Sequence, residues 1–165
     1  MAGMMDQLVG ILTEQTERYE ELLGLSKEKR DVIIENDVES LTKINHLENL
    51  VVSQAQKLEK KRMELIKDMA VVLAQKESDL TLTRLIELME GKEESKSLIE
   101  ARDRIKDVLD ELKEVNSQNG QLIENALEYI EYSNNLIRTS VNQQPATYGS
   151  EDVYPDEAGY IDTNM

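Results

Sequence analysis

LVGILTEQTERYEELLGLSKEKRDVIIENDVESLTKI, residues 8–44, decides the fold. Its mostly apolar seam recurs in steps of four and three, through Leu8, Leu12, Gln15, Tyr19, Leu22, Ser26, Lys29 and Ile33. That spacing is the 3.5-residue repeat of a helix lying along another helix. Polar entries weaken the seam towards its end, where Val32 and Ile34 widen the stripe. The segment from about Met4 to Glu35 reads as one helix, roughly 48 Å long at about 1.5 Å per residue. Asn36-Asp37 breaks it. Asn closes a helix in the left-handed conformation, and Asp is a good N-cap for the next one. From Val38 a second seam runs through Leu41, Ile44, Glu48, Val51, Ala55, Leu58, Arg62, Leu65, Met69 and Val72. So short a joint predicts an antiparallel hairpin of two long helices.

Further along, Ser78-Asp79 offer caps, and Leu80 to Met89 reads as a short helix stopped by Gly91. A third long helix is expected from about Glu94 to Val141, roughly 70 Å in length. Its seam reads Leu98, Arg102, Ile105, Leu109, Leu112, Asn116, Asn119, Ile123, Ala126, Ile130, Ser133 and Ile137. No strand-like alternation of useful length occurs. From Asn142 to Met165 the character changes, with both prolines, two glycines, five acids and no Lys or Arg. Such a stretch cannot bury enough apolar area to offset its ordering entropy. The expected fold class is all-α: an elongated antiparallel three-helix bundle or coiled coil over residues 1–141, with a short connecting helix. A disordered acidic tail is expected over 142–165, where Tyr148, Tyr154 and Tyr160 stand evenly spaced among acids as sticky points.

Composition narrows the function. Against 34 acidic residues stand 19 basic ones, a formal charge of −15. A surface this negative repels nucleic acid and anionic membrane, so protein partners are expected. There is no Trp and no Phe, and six tyrosines are the whole aromatic supply. A thick core normally uses aromatics; a thin seam of Leu, Ile and Val does without them. With no cysteine there is no disulfide framework, thiolate metal site or cysteine nucleophile. No stretch approaches the roughly 20 apolar residues of a membrane span, and the run from Leu8 to Leu12 lacks a preceding Lys or Arg. A cytoplasmic, non-enzymatic protein without metal or cofactor is the expectation, monomeric or weakly dimeric.

Each candidate site has an ordinary reading beside it. His46 is the single histidine. No glycine-flanked serine turn accompanies it, and Lys43 stands where a di-iron Glu-x-x-His motif needs Glu. A phosphotransfer histidine is typically followed by Lys and Gly at the third and fourth places, which here hold Asn49 and Leu50. Gly91-Lys92-Glu93 lacks the upstream glycine and strand of a phosphate loop. The basic run Lys57, Lys60, Lys61 and Arg62 has Glu59 and Glu64 beside it and reads as a solvated helix face. Asn116 and Asn119 fall on the third seam, where an apolar residue would give more stability. A buried Asn fixes helix register or partner number; the alternative use is gripping a partner. The last third of that helix carries two apolar stripes about 100° apart. One is Ile123, Leu127, Ile130, Ile137 and Val141, and the other is Leu122, Ala126, Tyr129 and Leu136. Either two neighbouring helices of the chain cover this band, or it receives an amphipathic helix from another protein, in which case Leu122, Leu127, Ile130 and Ile137 share the interface with this helix's own partners.

The helix pair joined at Asn36-Asp37-Val38-Glu39-Ser40-Leu41, with the run Asn116-Ser117-Gln118-Asn119-Gly120-Gln121-Leu122-Ile123, resembles the FlgN family. The likeness covers about residues 5 to 141 and lies in helix layout, acidic character and the Asn-x-x-Asn-Gly-x-Leu run. FlgN-type proteins are cytoplasmic chaperones of the flagellar type III export system. The resemblance implies binding of the hook-associated junction proteins FlgK and FlgL before export, and docking at the export gate. It places client binding on the last helix and the segment after it, hence on Leu122 to Val141 and the tyrosine-bearing tail. A generic coiled-coil adaptor or secretion stalk component is the alternative from periodicity alone, and a phosphotransfer domain is a second.

Overall fold

A computed structural model describes residues 1–143. Residues 144–165, with Tyr148, Tyr154, Tyr160 and nearly all of the expected tail, lie outside the described residues. Regular structure among the described residues is entirely helical: α1 (Ala2–Ile34), α2 (Val38–Val72), a 3-10 turn (Glu77–Asp79), α3 (Leu82–Leu88) and α4 (Glu93–Gln143). The chain divides into two compact units, residues 1–122 and 123–165.

In the first unit, the break between α1 and α2 forms as its residues dictate. Asn36 takes φ +57, and the Asp37 and Asn36 amides donate to the Val32 and Ile33 carbonyls at 3.1 and 3.2 Å. This pair of hydrogen bonds is the Schellman closure of a helix, and Asn tolerates the left-handed position. Asp37 then caps α2, its carboxylate accepting from the Ser40 amide at 3.1 Å and the Ser40 hydroxyl at 2.6 Å. Those two bonds, the hydroxyl first, hold the Asp37 carboxyl below its ordinary pKa. The helices then run antiparallel. Lys29 meets Glu48 at 3.2 Å near the joint, and Gln15 meets Glu59 at 2.8 Å further out.

α2 ends by the same closure on a less suitable residue. The Gln75 amide donates to the Ala70 carbonyl at 2.9 Å and the Ala74 amide to that of Val71 at 3.3 Å, which puts Ala74 at φ +52. The cap of the short helix also differs from expectation. Ser78 and Asp79 are spent in the 3-10 turn, and Thr81 caps α3 by accepting from the Arg84 amide at 3.1 Å. Gly91, at φ +83, supplies the turn into α4.

The core is thickest where the hairpin is open. Met5, Leu8 and Leu12 of α1 and Leu65, Ile66 and Met69 of α2 pack with Leu80, Leu85, Met89, Leu98 and Ile105. Leu85 and Leu98 are fully buried. On the α1 seam every expected position is buried or half-buried; on α2 only Val72 departs, standing exposed. The α4 seam needs correction. Beyond Ile105 it follows Val108, Leu112, Val115, Asn119 and Leu122, while Leu109 and Asn116 stand exposed. Steps of three and four allow both registers from Ile105, and the one that buries Val115 wins because it places a branched apolar side chain in the seam instead of an amide.

Candidate protein-binding face

Ser26 of α1 explains the Asn-x-x-Asn run. Its hydroxyl donates to Asn116 Oδ1 at 3.0 Å, and its carbonyl accepts from Asn119 Nδ2 at 2.9 Å. Asn119 is 4% exposed, and its Oδ1 has no hydrogen-bond partner among the described residues. Two amides one helical turn apart therefore clamp one serine. The clamp sets the register of α4 on α1, where Glu20–Arg104 at 3.0 Å and Lys27–Glu111 at 2.9 Å show the two helices running parallel.

A second polar group sits between α1 and α2. Glu59 accepts from Gln15 Nε2 at 2.8 Å and from Arg62 Nε at 2.9 Å, with a further bond from Arg62 Nη2. The Arg62 bonds first, against the cost of burial, hold the Glu59 carboxyl below its ordinary range. The same bond raises the Arg62 pKa. Burial first, then Glu59, pushes the Tyr19 phenol up. Arg62 is thus neutralised inside the chain, while Lys57, Lys60 and Lys61 point to solvent. His46 is likewise exposed on α2. A groove of about 580 Å³ beside Arg62 is floored by Ile66, Leu80 and Ile105. Its rim mixes Arg102 and Lys106 with Glu77 and Asp110, so it favours neither sign of ligand.

The second unit is chemically different. From Ile123 to Val141, α4 presents large apolar side chains to solvent: Ile123, Leu127, Tyr129, Ile130, Leu136, Ile137 and Val141 are all exposed, Leu127 to 60% and Tyr129 to 72%. Ala126 is half-buried, as is Leu122 at the end of the first unit. Leu127, Ile130 and Ile137, expected to share an interface with the helix's own partners, are exposed on this stretch of α4. The buried line of α4 passes through Val115, Asn119 and Leu122, so the Ile123 stripe stands off it. Tyr132, 61% exposed, was not anticipated; it stands three residues from Tyr129 and four from Leu136. That spacing was available in the sequence as an extension of the outer stripe.

Contiguous exposed apolar surface of this kind makes residues 123–141 the candidate interaction face. Among the described residues, no helix is long and apolar enough to cross a membrane. No curated protein and no solved structure matches the chain. The family model described as FlgN protein matches residues 1–155. That match includes both the clamped Asn116–Asn119 run and the apolar face, and the chain belongs to the FlgN family of flagellar export chaperones.

Proposed function

We propose that this chaperone holds the hook-associated junction proteins FlgK and FlgL in the cytoplasm before export, gripping a terminal helix of the client on residues 122–141 of α4. The observation that carries this reading is the exposure of Leu127, Tyr129, Ile130, Leu136 and Ile137 on one helix. A client segment destined to pair within a filament exposes an apolar stripe of its own. Covering that stripe on a strongly charged carrier keeps the pair soluble. In this reading residues 1–122 are a three-helix bundle that supports the face, with Asn116 and Asn119 fixing its register through Ser26. The segment bearing Tyr148, Tyr154 and Tyr160 contributes to client binding and to docking at the export gate. The chaperone works as a monomer or weak dimer, and client release follows from competition at the gate.

The test is direct binding of purified FlgK and FlgL to the wild-type chain and to the double variant Tyr129→Ser with Leu136→Ser. Both side chains are more than half exposed, so helicity and melting should stay unchanged. Binding should weaken by about 2 kcal/mol or more, since aromatic anchors dominate such interfaces. Normal binding by the double variant would place the client elsewhere. An early melt would show that these residues belong to the core.

A further inference from the structure

The exposed face of residues 123–141 is asymmetric in charge. At about 100° per residue, Ile123, Leu127, Ile130 and Ile137 fall within roughly 40° of a single line along the helix. Tyr129 and Leu136 extend the apolar band to about 140° on one side of that line. Glu124, Glu128 and Glu131 fall about 80–140° to the other side, and all three are exposed. One long edge of the band is thus a row of carboxylates, with Arg138 at its C-terminal end, and the opposite edge is formed by Tyr129 and Leu136. Carboxylates spaced by four and three residues beside an apolar seam occupy the flanking positions that choose a partner helix by its charge.

We propose that the occupant of this face is an amphipathic helix carrying Lys or Arg along one edge of its apolar seam, and that Glu124, Glu128 and Glu131 select it. This rests on the reading of residues 122–141 as the client surface. A second copy of the chain is a poor occupant. Paired antiparallel, the two glutamate edges would face each other, like charge against like; paired parallel, each would face the uncharged edge of Tyr129 and Leu136.

The experiment uses two synthetic helical peptides of about 21 residues, long enough to lie along roughly 30 Å of helix. They share one leucine seam, and one carries Lys along a flank where the other carries Glu. Binding to the full chain is measured at low salt and at 0.5 M NaCl. The Lys-edged peptide should bind at least about tenfold tighter at low salt, and the gap should shrink in high salt as screening shortens to a few ångströms. Glu124→Gln, Glu128→Gln and Glu131→Gln together should close the gap. The control Glu14→Gln, Glu64→Gln and Asp68→Asn removes as many exposed acids from α1 and α2 and should leave it. Equal binding of the two peptides, or equal loss of the gap in both triple variants, overturns the charge assignment. If binding still falls with Tyr129→Ser and Leu136→Ser, the client surface stands without it. Failure of both peptides to bind, or indifference to that double variant, removes the face itself and the proposal with it.

Discussion

Two single residues show how local conformation and burial set stability in opposite senses. Ala74 closes α2 at φ +52, where a β-carbon costs about 1–2 kcal/mol. Glycine avoids that cost but loses more chain entropy on folding, about 0.5–1 kcal/mol. Ala74→Gly should therefore stabilise the chain by about 0.5–1 kcal/mol and raise Tm by roughly 2 °C; a fall in Tm in a thermal melt would show that the closure is not strained. Asn119 carries the second lesson. It makes one bond to Ser26 and buries an unpaired Oδ1. That bond contributes about 0.5–1.5 kcal/mol, and the unpaired acceptor costs about 1–3 kcal/mol. Asn119→Leu should raise the melting temperature while loosening the register of α4 on α1. Cysteine cross-linking between the helices should then trap neighbouring registers that the wild type excludes; a lower Tm with one register retained contradicts this. Asn36 was legible in the sequence because Asn tolerates the left-handed position. Ala74 was not, because nothing about alanine marks it for that conformation.

At the scale of the helices, seam periodicity carried most of the reading. The α1 positions, and the α2 positions up to Met69, follow it. α4 was ambiguous after Ile105, where Val108, Leu109 and Leu112 are all apolar and two registers share the same period. The choice was settled by Val115 and by the reach of Asn119 to Ser26, which are packing facts that a one-dimensional pattern does not hold. The α1–α2 contact also has a pH signature. Glu59 is held below its ordinary pKa by Arg62, so the folded state binds its proton less readily than the unfolded chain. Its contribution is present above the unfolded value of 4.5 and disappears as pH falls through the lowered folded value. Solvent reaches this pair, which limits the contribution to about 1 kcal/mol or less. Glu59→Gln should accordingly lower stability at pH 7 and converge with the wild type near pH 2. Denaturant melts at the two pH values check this, and a difference that persists at low pH would assign the loss to packing.

At the scale of the whole molecule, the proposed function assigns folding and binding to different stretches of one chain. The large core ends at Ile105 in α4, and Asn119 is the last buried residue among those described. Beyond it Leu122 and Ala126 are half-buried and the large apolar side chains from Ile123 onward face solvent, in a chain whose net charge of −15 opposes self-association. A chain stopped after Leu122 should therefore keep its core, the Glu59–Arg62 pair and the Ser26 clamp. Its Tm should move by less than about 3 °C, the shift expected for roughly 1 kcal/mol in a domain of this size. The truncated chain should lose FlgK and FlgL binding by tenfold or more, a change of at least about 1.4 kcal/mol. The comparison is informative because point changes in a core confuse the two quantities, costing about 2–5 kcal/mol of stability on their own. If truncation melts the protein early, residues 123–143 support the fold and their exposure has been misread. If the shortened chain still binds its clients at full strength, binding resides in the first unit, and the groove beside Arg62 becomes the surface to mutate next.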